Sequence, residues 1–273
     1  MVGDGTLVGM DGADGRTALR LVTFNTHHGV GDDGRHDLAR IAALLHDTDA
    51  DVICLQEVDR HFGDRSKTVD QAAVLAEGLG RSAAWSLAWG PAIDRDGPTR
   101  DAPRRQYGNA VLSRLPMVDD SVHRLPGDGE PRAAVRAVLG VGDRTLTVVA
   151  THLSSGSMRE RAAQATALVD LLPGPGSASL VVGDLNATAG APELVPLRTR
   201  LADAWQQAGS RGDQARGWQL WKRDQGLTHP ARRPRVRIDQ VWVSPEVRVT
   251  AARVLDGSAC SDHHPLQVDL VVG

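Results

Sequence analysis

The sequence predicts an α/β fold in which two packed sheets are flanked by helices. Short apolar segments of strand composition recur from about residue 18 to the end of the chain. Amphipathic helical periodicity falls between them, and strand-like segments outnumber helical ones, which is the pattern of packed sheet and helix layers.

The strand-like segments are, in order, 18–25 (ALRLVTFN), 51–58 (DVICLQEV), 109–114 (NAVLSR), 133–141 (AAVRAVLGV) and 145–152 (TLTVVATH). They continue with 179–184 (SLVVGD), 239–244 (DQVWVS), 249–255 (VTAARVL) and 266–272 (LQVDLVV). Some alternate, as Leu146, Val148 and Ala150 do against Thr145, Thr147 and Val149, and others are apolar on both faces, as strands covered on both sides are. Leu38, Ile41, Ala42 and Leu45 carry i, i+3, i+4, i+7 spacing, and Ala72, Leu75, Ala76 and Leu79 repeat it. A third helix starts at a Ser157–Glu160 capping box, runs through Leu168 and Leu172, and stops at Pro173-Gly174. Segments 91–106 and 206–237 read as long irregular loops, which inside a compact domain tend to be functional. Residues 1–16, rich in Gly and Asp, read as a flexible leader ahead of a single domain spanning 17–273.

Composition narrows the function. The chain has 273 residues, with 31 basic against 34 acidic side chains for a formal charge of −3. That balance disfavours a protein that grips nucleic acid by bulk charge. No apolar run approaches membrane-spanning length, and the N-terminus lacks the basic and apolar regions of a secretory signal. With Cys54 and Cys260 the two cysteines, and Cys54 in an apolar run, a disulfide framework is not expected; the reading is a reduced, cytoplasmic setting.

The strand ends carry the chemistry. Asn25 closes the first segment, Gln56 and Glu57 the second, His152 the fifth, and Asp184 with Asn186 the sixth, while Asp239 opens the seventh. Asp262, His263 and His264 precede the last strand. Apolar runs that end repeatedly on carboxylate, amide or imidazole aim polar groups at one sheet rim. Four acids gathered there (Glu57, Asp184, Asp239, Asp262) would repel one another unless a cation intervened. Oxygen donors favour a hard ion such as Mg²⁺, Mn²⁺ or Ca²⁺ over zinc, and no zinc spacing such as CxxC or HExxH is present. A hard cation beside imidazoles suits hydrolysis of phosphate esters.

The ordered series FNTHHG, LQEVD, YGNAVLSR, THLSSG, GDLNAT, RIDQVWVS and SDHHP resembles the endonuclease/exonuclease/phosphatase superfamily, from about residue 18 onward. GDxN combined with a terminal SDHxP is its specific part. The resemblance implies a four-layered α/β/β/α sandwich like that of deoxyribonuclease I and a metal-dependent phosphoesterase activity. Residue by residue, it implies metal ligation by Glu57, with Asn25 and Asp262 beside it, and a water-aligning role for Asp184, with Asn186 holding water and phosphate. It implies that His263, partnered by Asp239, touches the scissile phosphate together with His152, and that Tyr107 and Asn109 bond phosphate oxygens. Each has a bland alternative, such as a strand-end cap at Asn25, an Asx turn at Asp184–Asn186 or a core tyrosine at Tyr107.

His28 and His264 lean toward supporting rather than ligating work, and His36, His46, His61, His123 and His229 have no motif around them. Arg100, Arg104 and Arg105 in one loop, and Arg232, Arg233, Arg235 and Arg237 in the other, are candidates for extra phosphate groups or for a solvated surface. Trp218 and Trp221 read as pinning the long loop more than as a stacking platform. The expected substrate is a small phosphoester or lipid headgroup, with a nuclease as runner-up and a non-catalytic binding module as a remote third. No obligate protein partner is inferred.

Overall fold

A computed structural model describes residues 16–80, 85–212 and 225–273. The expected leader, apart from Arg16, and the Trp218–Trp221 pair lie outside the described residues. The strands are β1 (Thr17–Asn25), β2 (Val52–Arg60), β3 (Ser86–Arg95), β4 (Arg105–Ser113), β5 (Met117–Leu125) and β6 (Arg132–Val141). They continue with β7 (Arg144–His152), β8 (Ser179–Asp184), β9 (Ala202–Asp203), β10 (Asp239–Val243), β11 (Val247–Val254) and β12 (Leu266–Val272). The helices are α1 (Leu38–His46), α2 (Gln71–Gly78), α3 (Met158–Asp170), α4 (Val195–Arg198) and α5 (Ala204–Gly212).

One sheet has the order β11-β12-β1-β2-β4-β3 and the other β5-β6-β7-β8-β10-β9. Each contains a parallel pair, β1 with β2 and β7 with β8, among antiparallel neighbours. Period-2 alternation sorts the side chains into seams. Leu19 and Leu21 of β1, Val52 and Cys54 of β2, and Leu146, Val148 and Ala150 of β7 fill the space between the sheets. The opposite face of the first sheet, with Val22, Phe24, Ile53 and Leu55, packs on Ile41, Leu45 and Leu75 of α1 and α2. The opposite face of the second, with Val149, Val181 and Trp242, packs on Leu168 of α3 and Leu197 of α4. Three apolar seams separate four layers: the fold is the α/β/β/α sandwich, and both cysteines are buried and free. Among the described residues no helix is long and apolar enough to cross a membrane.

Local signals explain the helix starts. Asp37 accepts from the backbone N–H groups of Ala39 and Arg40, and Asp70 from that of Ala73, each capping its helix. Ser157 caps α3 by accepting from Glu160 N at 3.2 Å, but the reciprocal half of the expected box is not made. The Glu160 carboxylate instead accepts from Asp128 N and Gly129 N, both at 3.0 Å, and ties the β5–β6 connection to the helix.

Three strands are invisible to periodicity: β3, β5 and the two-residue β9. Segment 91–106 is not one loop: β3 runs through Arg95 and β4 begins at Arg105. The inward face of β3 is Ala88, Gly90 and Ala92, with Pro91 between, which lacks the bulky signature of a strand. Proline is tolerated because β3 is an edge strand. Small residues are required there because a Cβ on Gly90 would lie 2.3 Å from Val135 of the facing sheet. β5, an edge of the second sheet, is mostly polar and leaves Val118 and Val122 exposed.

One glycine bears directly on the rim. Gly183 precedes Asp184 at φ 141°, and a Cβ there would lie 1.9 Å from the Thr151 carbonyl oxygen of the neighbouring parallel strand. Gly183→Ala is therefore expected to lower the unfolding free energy by roughly 2 kcal/mol or more. The denaturant midpoint measures this, and an unchanged midpoint would contradict so close an approach.

Candidate active site

The polar strand ends meet. Parallel register sets Asn25 against Gln56 and His152 against Asp184, and antiparallel register sets Asp239 against Asp184. Glu57 reaches the same rim through a bulge in β2: Leu55 pairs with Ala110 and Val58 with Gly108, so one residue is extra. Glu57 takes φ 55° there, the re-aiming that bulges provide. A cleft of about 410 Å³ opens over this rim, lined by Glu57, Tyr107, His152, Asp184, Asn186, Asp262 and His263, among others.

Asn25 joins the two sheets at the base of the cleft. Its Nδ2 donates to Glu57 Oε1 at 3.2 Å and to Asp184 Oδ2 at 3.1 Å, while its Oδ1 accepts from His27 N at 3.0 Å. Its carbonyl accepts from Ser261 Oγ at 2.7 Å, which also accepts from His263 N at 3.1 Å, so the SDH segment hangs from the end of β1. The Asx turn at Asp184 is present: Oδ1 accepts from Asn186 N at 2.9 Å. It coexists with a functional placement, because the other oxygen, Oδ2, faces His152 Nε2 at 3.4 Å and His263 Nε2 at 3.7 Å. Asn186, held at φ 49°, donates from Nδ2 to His152 Nε2 and to the Leu153 carbonyl, both at 3.0 Å.

Burial and charge set the proton affinities. Burial and the nearby Asp239 charge push the Asp184 carboxyl up to about 7, against the pull of His263. Burial alone would depress His263, but Asp239, whose Oδ2 lies 2.8 Å from its Nδ1, and Asp184 raise it to about 10. Asp184, Asp239 and His263 lie close enough to resemble a metal cluster, but Nδ1 of the histidine is engaged by Asp239, and Asp184 stands 3.7 Å from its Nε2, beyond hydrogen-bond distance. Burial, then the charge of Arg132, lower His152 to about 3 and keep it neutral. Glu57 is held well below the usual carboxylate range: burial opposes this, but His28, His152 and Asn25 overcome it.

A divalent cation fits these residues. Glu57 offers an ionised, largely buried carboxylate, Asp262 a half-buried one across the cleft, and the donor set is rich in oxygen. Glu57 Oε2 faces His28 Nδ1 at 3.8 Å, beyond hydrogen-bond distance, and that nitrogen is buried without a hydrogen-bond partner.

The placement departs from expectation at several points. Asn109 does not line the cleft. Its Nδ2 donates 2.9 Å to the Ala133 carbonyl and ties β4 to β6 within the sandwich, so it does not reach a phosphate as expected. Tyr107 does line the cleft, with its hydroxyl pushed up in pKa by burial and the Glu57 charge. Much of the loop arginine is engaged elsewhere. Arg104 pairs with Asp94 and Asp96 at 2.6 Å each, Arg237 with buried Asp203, and Arg232 with Asp32. Among the described residues, the arginines that line the cleft are Arg65 and Arg132, to which no motif drew attention. Arg132 is 6% exposed; its Nη2 lies 3.1 Å from Glu130, while Nε and Nη1 are buried without partners. His229, also without a motif, lines the cleft with its ring 4.4 Å from that of His263. The His229-Pro230 and Arg233-Pro234 steps mark a turn in the sequence, but nothing in them announces an imidazole at the site. His264 accepts from Gly257 N at 3.0 Å and supports the loop, as expected.

Comparison with known proteins agrees with this fold. The chain is 27% identical over 132 residues to the inositol phosphosphingolipids phospholipase C of Saccharomyces cerevisiae, a stretch covering 40% of this chain and 28% of that protein. An endonuclease/exonuclease/phosphatase from Beutenbergia cavernae superposes with a TM-score of 0.71 at 28% identity, over 94% of this chain and 72% of that one. The mannosyl-6-phosphatase Bt3783 of Bacteroides thetaiotaomicron shares the fold at 18% identity, with a TM-score of 0.69, over 92% and 99% of the two chains. Residues 22–263 match the Endonuclease/Exonuclease/phosphatase family, and the chain belongs to it.

Proposed function

We propose that the protein is a divalent-metal-dependent phosphoesterase acting on a small phosphoester or a lipid headgroup. The observation that carries this is Asp184 Oδ2, buried between two imidazoles and Asn25, beside a carboxylate suited to a cation. Glu57, with Asp262 and Asn25 nearby, would hold Mg²⁺ or Mn²⁺. When bound, the ion supplies charge neutralisation at the phosphoryl oxygens.

This chain's own residues do the rest. Asp184, with its proton affinity raised, takes a proton from the attacking water at Oδ2. The water oxygen bonds to phosphorus as the ester oxygen departs. The Asp239 carboxylate, accepting from Nδ1–H, holds His263 as the imidazolium, whose second proton, at Nε2, is presented to the phosphoryl group, where the departing ester oxygen takes it up. His152 stays neutral, and Asn186 Nδ2 fixes its orientation. Tyr107 and Arg132 line the opposite wall, where the unpartnered guanidinium nitrogens of Arg132 suit a phosphate oxygen. The small net charge and the self-paired loop arginines favour a compact substrate over a polynucleotide. The sphingolipid-cleaving relative is consistent with a lipid-linked phosphodiester.

Asp184→Asn and His263→Gln are each expected to lower turnover of bis-p-nitrophenyl phosphate or p-nitrophenyl phosphate by about 100-fold or more, with folding retained. EDTA should abolish wild-type activity, and added Mg²⁺ or Mn²⁺ should restore it. Full activity in either variant would overturn the assigned roles, and plasmid nicking faster than phosphoester turnover would favour a nuclease.

A second prediction concerns protons in the metal-free protein. His263 is raised from an ordinary value of about 6.5 to about 10. The stability its pairing contributes is therefore complete below pH ~6.5 and lost as pH rises through 10. Asp239→Asn should flatten that alkaline decline in urea midpoints and bring the imidazole titration, followed by NMR, down toward neutrality. A His263 titration still near 10 in the variant would show that Asp239 is not the cause.

A further inference from the structure

We propose that His28 is a nitrogen ligand to the cation held by Glu57, and that the site therefore prefers Mn²⁺ over Mg²⁺. This rests on the reading that Glu57 binds a divalent ion, and adds a donor that an all-oxygen site lacks.

The argument begins with the backbone. His27 and His28 sit at φ 44° and 43°, followed by Gly29 at 88°, in a short turn directly after β1. Consecutive non-glycine residues in the left-handed region are costly, and such strain persists only where surrounding contacts enforce it. Those contacts are present. Gln71 of α2 donates to the His28 carbonyl at 2.7 Å, and Asp37 N donates to the Gly29 carbonyl at 2.9 Å. A Cβ on Gly29 would lie 2.9 Å from side-chain atoms of His36 and Leu38, so the turn is packed in place. Glu57 is likewise held at φ 55° by its bulge. Two strained segments from different parts of the chain thus present an imidazole and a carboxylate to each other.

They do not bond to each other. Nδ1 of His28 is buried, lacks a hydrogen-bond partner, and stands 3.8 Å from Glu57 Oε2. A charge-assisted pair with nothing between would close to about 2.7–2.9 Å. Two donor atoms 3.8 Å apart are near enough to share one ion, since two bonds of ~2.1 Å reach at most about 4.2 Å. An orphaned buried nitrogen is a group that calls for a partner, and a cation shared with Glu57 is one both side chains can reach. Mg²⁺ is the harder ion, demands near-ideal oxygen coordination and dehydrates reluctantly, so between the two a nitrogen donor moves preference from Mg²⁺ toward Mn²⁺.

The test uses the full chain and metal alone, without substrate. Pulsed EPR of the Mn²⁺-loaded protein should show ¹⁴N hyperfine coupling that disappears in His28→Asn, which tolerates positive φ, and persists in His27→Asn. By calorimetry, the ratio of Mn²⁺ to Mg²⁺ affinity should fall by about tenfold or more in His28→Asn. A wild-type spectrum without nitrogen coupling, or coupling and affinity ratio unchanged in His28→Asn, overturns the proposal. Glu57→Gln separates this from the underlying reading: if it retains wild-type Mn²⁺ affinity, the cation site itself is misplaced. If it loses binding while His28→Asn does not alter the spectrum, the site stands and His28 is not a ligand.

Discussion

Asp184 imposes the constraint on which the site depends: a fully buried carboxylate that has imidazole and amide neighbours in place of a lysine or arginine partner. A buried anion must be compensated or neutralised. Here the compensation comes from Asn25, from the Asx-turn N–H of Asn186, and from a histidine kept protonated by a second buried acid. Each partner belongs to a different strand or loop, so the carboxylate's environment exists only when both sheets are assembled. Folding and the chemistry of this cleft are in that sense one event.

The supporting contacts around this centre are as particular as the centre itself. Ser261 links the terminal SDH segment to the carbonyl of Asn25, Gln71 holds the turn that carries His28, and Asn109 bolts β4 to β6 beside Arg132. Such contacts fix the directions of groups that would otherwise sample several rotamers, which is how a rim of strand ends becomes a preorganised site. Positive φ at His27, His28, Glu57 and Asn186 concentrates backbone strain in the same place.

Most strands, and the helices α1 to α3, were legible because burial on alternate faces writes a period of 2 or 3.6 into the residues. β3 and β5 were not, for opposite reasons. The inner face of β3 must be Ala, Gly and Ala to admit the facing sheet, and β5 is an exposed edge with little to bury. The site divides similarly. Residues in compact motifs, such as Asp184 with Asn186 or Asp262 with His263, could be picked out, and the cleft contains them. Asn109 stood in an equally suggestive motif and serves to join the sheets.

The residues alone determined the layered α/β class and the ordered polar strand ends, because these follow from periodicity and composition along the chain. Only the tertiary structure decided which cations of the chain face the cleft. Arg104 and Arg237 carry the same guanidinium as Arg132, but they meet aspartates before they can meet a substrate. His229 and His28 gain meaning from neighbours distant in sequence, His263 and Glu57. Charge and hydrogen-bonding capacity are properties of a residue, whereas the partner that uses them is set by distance across the folded sandwich.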